Sequence, residues 1–320
     1  MDISHIDYVL PEELIAQTPI EPRDSARLLV DSLTGIQHRH VSDIVEYLRA
    51  EDVLVVNHTR VLPARLKLKR RTGGAVEVLL LEERDADQLQ WEALVRPGGK
   101  LSPGEELLDN TGSVMLRIGQ RTDAGDTFFV QFVARTHEDM MQRIMEGGEM
   151  PLPPYITTAL VDQSRYQTVF AHDQKSSAAP TAGLHFTPEL LARIREAGVE
   201  IREVELVVGL DTFKPISVDN PLDHVIHTES YHVPADTFDA CLRARESGGR
   251  VIAIGTTATR ALESAATFAE LQGRTNLFIT PGYQWKVVDM MMTNFHMPRT
   301  TLLLMVESFV GVKWRAIYAE

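Results

Sequence analysis

Residues 176–187, Ser-Ser-Ala-Ala-Pro-Thr-Ala-Gly-Leu-His-Phe-Thr, follow neither a helical nor a strand period, and they hold one imidazole, His185, among small side chains. Small residues let a ligand or another backbone come close, and Gly183 tolerates backbone angles that other residues resist. Thr187-Pro188-Glu189 then reads as an N-cap, a proline at the first helical position and an early acid. The loop therefore runs into a helix start, whose free N–H groups suit an anion or an electron-rich ligand. A well-packed turn would use the same residues.

Four other clusters carry chemistry. His224, His227, Glu229, Tyr231 and His232 crowd imidazole and carboxylate together. Their spacing matches no zinc pattern, so acid–base work or ligand hydrogen bonding is the functional reading and a solvated polar loop the plain one. Asn294, Phe295 and His296 stand just before an apolar run, where an amide and an imidazole need partners if buried. His185 and His296 gain meaning only if they converge. Gly255-Thr256-Thr257 follows an apolar run and opens a helical pattern, as a hydroxyl-and-amide nest or as a simple cap. Arg60, Arg65, Lys67, Lys69, Arg70 and Arg71 give six positive charges in twelve residues with no acid among them. That run is either an edge strand guarded by cations or a phosphate track.

The elements that must position these residues alternate. Residues 52–57 are a near-continuous apolar run, as in a strand buried on both faces, ending at Asn57-His58-Thr59-Arg60. In open α/β sheets that end is where ligands bind. Short helices are expected at 11–16 and 41–48, and a strand at 27–31. Between about 65 and 135, short strands at 76–81, 91–96, 114–118 and 128–133 are separated by Gly and Pro turns, which suggests a small barrel. Helices are expected at 138–146, 188–197, 234–246 and 257–271, and strands at 200–208, 250–254, 277–280 and 301–309. The fold class expected is thus an α/β main domain, 1–62 and 150–320, with an all-β barrel, 63–149, inserted.

The 320 residues carry a net charge of −13, which opposes nonspecific binding to polyanions and confines any nucleic-acid site to a local basic patch. Cys241 is alone, so there is neither a disulfide framework nor a Cys-based zinc site. No signal peptide or membrane span is read, and a cytoplasmic monomer with no metal is expected. No G-x-G-x-x-G or P-loop marks a dinucleotide or triphosphate.

Residues 178–187, with Asn57-x-Thr59-Arg60, Pro63-Ala64-Arg65, Met150-Pro-Leu-Pro-Pro-Tyr155-Ile156, Arg165-Tyr-Gln-Thr168, Gly255-Thr-Thr257 and Thr293-Asn-Phe-His296, closely resemble the S-adenosylmethionine:tRNA ribosyltransferase-isomerase family of queuosine biosynthesis. The resemblance covers nearly the whole chain in order. It implies transfer and isomerisation of the ribosyl part of S-adenosylmethionine onto 7-aminomethyl-7-deazaguanine at the tRNA wobble position, with release of adenine and methionine. S-adenosylmethionine is then a co-substrate, no cofactor is permanently bound, and the anticodon loop is the partner. Such chemistry needs a base near C5′, whose protons the sulfonium acidifies, and an acid near the departing adenine. The candidates are His185, His296, His227 and Glu229, with no roles divided among them. Phe186, Phe213, Tyr283 and Phe295 are candidates to stack on a base. Asp289 suits a ribose hydroxyl or the methionine amine, and Arg60 and Arg65 suit phosphates. Thr181, Gly183, Thr256, Thr257 and Asn294 complete the expected substrate contacts. An RNA-binding module without catalysis is one alternative. An S-adenosylmethionine methyltransferase is the other, though it lacks the Gly-rich first loop.

Overall fold

The computed structural model describes residues 1–122, 125–209, 215–226 and 228–320. In chain order the strands are β1 Arg27–Ser32, β2 Gly35–His40, β3 Val53–Asn57, β4 Thr59–Val61, β5 Arg65–Arg70, β6 Ala75–Asp85, β7 Gln90–Arg96, β8 Glu106–Leu108, β9 Val114–Arg121, β10 Phe128–Phe132, β11 Gly148–Glu149, β12 Asp173–Ser176, β13 Glu200–Leu206, β14 Glu229–His232, β15 Val251–Ile254, β16 Gln272–Thr275 and β17 Met290–Met292. The α-helices are α1 His137–Gly147, α2 Pro188–Glu196, α3 Ala235–Glu246, α4 Gly255–Phe268, α5 Thr301–Val310 and α6 Trp314–Ala319.

The main sheet has the order β16-β14-β13-β3-β15-β17. Its four central and right-hand strands, β13, β3, β15 and β17, run parallel, while β14 and β16 are antiparallel additions. All five residues of β3 are buried, because helices cover both faces of a parallel sheet and leave no polar side. Leu54 and Val56 pack towards α2, and Val53 and Val55 towards the opposite layer. The parallel strands finish together at Asn57, Leu206, Ile254 and Met292, and this edge carries the polar motifs.

Strands β5, β6, β7, β10, β9 and β8 pair antiparallel in that order, and β8 pairs back to β5, closing a six-stranded barrel. Leu66 and Leu68, Trp91, Ala93 and Val95, and Phe128, Val130 and Phe132 alternate inward to fill it. The chain returns along α1 to β11, which adds to the outside of β5. Gly148 makes this return possible: a Cβ there would sit 1.8 Å from the Pro63 carbonyl oxygen. The α/β sheet with a small barrel agrees with the expected fold class.

Several local expectations are corrected. Residues 301–309 form helix α5, not a strand. Leu302 to Val306 are all apolar, and a continuous apolar run has the same appearance in a buried helix and a buried strand. Residues 277–280 form no strand; pairing falls on β16 just before them and on β17, which was not anticipated. The expected helices near 11–16 and 41–48 are 3-10 turns at Glu12–Leu14 and Val41–Tyr47. The basic run is itself strand β5, with Leu66 and Leu68 inward and Lys67 and Lys69 outward.

Candidate active site

The edge is built from the end of β3 outward. Asn57 is buried; its Nδ2 donates to the Leu206 carbonyl at 3.0 Å and its Oδ1 accepts from Thr59 N at 3.1 Å, so the ends of β3 and β13 are tied together. Thr59 Oγ1 lies 2.7 Å from Ser176 Oγ, which accepts from Val208 N at 3.0 Å. These contacts lay the small-residue loop along the strand ends, where it closes as a single 3-10 turn, Thr181–His185. Its small residues are explained by packing. A Cβ on Gly183 would stand 2.7 Å from Phe170 Cζ and 3.0 Å from Thr168 Cγ2, so protein fills the space expected for a ligand.

His185 and the 293–296 segment meet. Thr181 Oγ1 donates to Asn294 Oδ1 at 2.9 Å, and Asn294 Nδ2 lies 3.1 Å from His185 Nε2. Arg23 reaches in from the N-terminal segment, donating to the Gln167 and Leu184 carbonyls at 2.7 and 3.3 Å. Burial, helped by the Arg23 charge, pushes the His185 pKa below the ordinary imidazole value. His296 Nε2 is 3.0 Å from Thr293 Oγ1. Its backbone is pinned from both ends of the chain: Tyr8 OH donates to the His296 carbonyl at 2.5 Å, and His296 N donates to Tyr318 OH at 3.1 Å. Burial lowers the His296 ring to about 4. Phe295 is 58% exposed, its ring T-shaped against Tyr318.

Beside this loop lies a cavity of about 720 Å³ between the barrel and the sheet edge, walled by Thr256, Thr257, Arg260 and Glu229 on one side and Glu82 and Arg84 on the other. The start of α4 forms the partition. Gly255 takes φ +91°, and the position of a Cβ there is 3.5 Å from Thr257 Oγ1 and 3.6 Å from Ala182 Cβ. Among the described residues, helix α4 has no side-chain cap and the buried Thr257 Oγ1 has no hydrogen-bond partner. Sequence reasoning missed Glu82 and Arg84 on the barrel wall, Arg274 reaching Glu82 from β16, and Arg23, Tyr8 and Tyr318, since no local pattern announces a long-range contact.

Other expected site residues are placed elsewhere. Glu229 is engaged by the Arg260 guanidinium in a buried pair on the cavity wall, so its carboxylate is already committed as an acceptor and is a poor acid–base candidate. Phe186 is fully buried in the core under α2 and offers no face to a base. Tyr283 OH donates to Glu263 at 2.8 Å and its ring packs on Trp285. Glu263 in turn accepts the amides of Lys286, Val287 and Val288, so this group is structural. Asp289 accepts from Val251 N at 3.0 Å at the start of β15, the opposite edge of the parallel strands. His227 and Phe213 lie outside the described residues.

The basic run is largely neutralised. Arg70 pairs with Glu105 and Arg71 with Glu106, both at 2.5 Å, Lys67 with Glu149 at 2.8 Å and Arg65 with Glu77 at 3.9 Å. Among the described residues, Arg60 and Lys69 are exposed and make no ion pair. Also among the described residues, no three His, Cys, Asp or Glu are grouped to hold a metal, and no helix is long and apolar enough to cross a membrane.

The family described as queuosine biosynthesis protein matches residues 3–320. The S-adenosylmethionine:tRNA ribosyltransferase-isomerase of Symbiobacterium thermophilum is 46% identical over 318 residues, covering 97% of this chain and 92% of the relative. That of Moorella thermoacetica is 46% identical over 319 residues, with the same coverage. The crystal structure of S-adenosylmethionine tRNA ribosyltransferase from Thermotoga maritima is similar with a TM-score of 0.53 and 35% identity, covering 99% of this chain and 93% of that one. This chain belongs to the queuosine biosynthesis protein family.

Proposed function

We propose that the protein transfers the ribosyl part of S-adenosylmethionine to 7-aminomethyl-7-deazaguanine at the wobble position of a tRNA and isomerises it to the epoxycyclopentanediol. The observation that carries this reading is the contact of His185 with Asn294 at the C-terminal edge of the parallel strands, across the start of α4 from a cavity of about 720 Å³. S-adenosylmethionine enters as co-substrate with no resident cofactor, and the anticodon loop is the macromolecular partner. The protein works as a cytoplasmic monomer, with the barrel, 63–149, inserted into a catalytic domain made of 1–62 and 150–320.

His185 is the base. Its lowered pKa keeps it unprotonated at neutral pH, as removal of a C5′ proton beside the sulfonium requires. The resulting imidazolium is then the acid available to a ring nitrogen of adenine as that base departs. His296, with a pKa near 4, carries no proton to give at pH 7 and serves as a neutral hydrogen-bond partner. The uncapped start of α4, with the Thr257 hydroxyl and the neighbouring Thr256, receives the methionine carboxylate. Phe295 stacks on a base.

The test is product chemistry. With S-adenosylmethionine and tRNA bearing 7-aminomethyl-7-deazaguanine, adenine and methionine should appear in equal amounts, because the glycosidic and C5′–S bonds both break. His185→Ala should slow release of both together by roughly 10²–10⁴-fold. S-adenosylhomocysteine as product would mean methyl transfer and overturn the reading.

A further inference from the structure

We propose that Thr181 and Asn294 are positioning residues that decide which nitrogen of His185 carries its proton, and that the pair reverses its hydrogen bonds when His185 becomes charged. The sequence alone placed both residues among substrate contacts; the geometry points them at the imidazole instead. Thr181 Oγ1 donates to Asn294 Oδ1 at 2.9 Å, which turns the amide nitrogen towards His185 Nε2 at 3.1 Å. An amide NH₂ only donates, so the neutral imidazole must present a bare Nε2 and keep its hydrogen on Nδ1. A charged imidazole would set one donor against another.

Reversal loses no bond. For Nε2 to take a proton the Asn294 amide must first swing off its lone pair; once the amide has turned over, its oxygen accepts from Nε2–H. Its nitrogen then donates to Thr181 Oγ1, since a hydroxyl both donates and accepts. The proton moves to Nε2 and no other covalent bond changes. Serine at 181 preserves this exchange. Valine removes it, and aspartate at 294 can only accept, which locks the charged form. Other charges face the site without replacing the pair. Arg23 holds the Leu184 carbonyl, with Arg165 beyond it, and opposes charging; Asp24 accepts from Thr187 Oγ1 at 3.4 Å; His296, on the same segment as Asn294, is neutral.

The consequence for turnover rests on His185 being the base; the hydrogen-bond assignment does not. The experiment is ¹⁵N NMR of the histidine-labelled protein, followed by titration. In the parent, His185 should be the Nδ1–H tautomer. Asn294→Asp should raise the His185 pKa by about one unit or more, and the rising limb of kcat/KM against pH should move up by the same amount. Thr181→Ser should leave tautomer and pKa unchanged, whereas Thr181→Val should give a mixture of tautomers. An Nε2–H tautomer in the parent, or an unmoved pKa in Asn294→Asp, would overturn the proposal. If Asn294→Asp does not fold, the parent tautomer and the two Thr181 variants decide it. A pKa that moves while the kinetic limb stays fixed supports the positioning role and instead removes His185 as the base.

Discussion

At the scale of single residues, His296 gives a stability test independent of catalysis. Its ordinary pKa of 6.5 falls to about 4 through burial. Between these values the unfolded chain binds a proton that the folded chain refuses. The contribution is whole above about pH 6.5 and is lost as pH falls towards 4. His296→Gln should therefore flatten the fall in unfolding free energy between pH 7 and 4.5. The expected difference is on the order of 1–2 kcal/mol, since only part of the shift is crossed between these two pH values. Urea unfolding at the two pH values measures it; an equally steep fall in the variant would show that the ring is protonated in the fold. The site's members were legible unevenly. Of the residues proposed for the site, His185, Asn294 and His296 stand in polar motifs that need partners, which is why the sequence singles them out. Phe186, Tyr283 and Asp289 were misread because an aromatic ring or a carboxylate has the same appearance in a sequence whether it meets a ligand or, as here, the core, Glu263 or Val251 N.

At the scale of elements, what could be read followed from periodicity. The barrel strands alternate and β3 is uniformly apolar, so both were visible. Helix α5 and strand β17 were not, since a run of apolar residues and three consecutive methionines carry no period. The small-residue loop shows a third case, in which the location was legible and the reason was not. Gly183 faces Phe170 and Thr168 across a gap too narrow for a Cβ. Gly183→Ala should thus act first on stability, by about 1–3 kcal/mol, as overpacking does. Activity per folded molecule should fall less, because the Phe170 ring edge can yield. Thermal unfolding and active-site titration separate the two; a fully stable but inactive variant would return the ligand to that face of the loop.

For the whole molecule, charge sets how an acidic body meets RNA. The net charge is −13, and the densest basic run, 60–71, looked like a track for six phosphates. Folding brings Glu77, Glu105, Glu106 and Glu149 against four of its cations. A cation held beside a carboxylate adds little net attraction for a phosphate. Arg60 and Lys69 are what this run still offers, so tRNA binding through it should follow salt with a log–log slope of about −0.7 × 2, or roughly −1.4, where six free cations would give about −4. Arg60→Ala should make the slope shallower by about 0.7. Glu106→Gln should make it steeper, because that one carboxylate holds both Arg71 and Arg117. The pairs on this face are partly exposed and individually weak, which allows a real alternative: RNA displaces the carboxylates and recruits their partners. A slope near −4 in the parent, unchanged by Glu106→Gln, would establish that exchange and overturn the view that folding has already spent these charges.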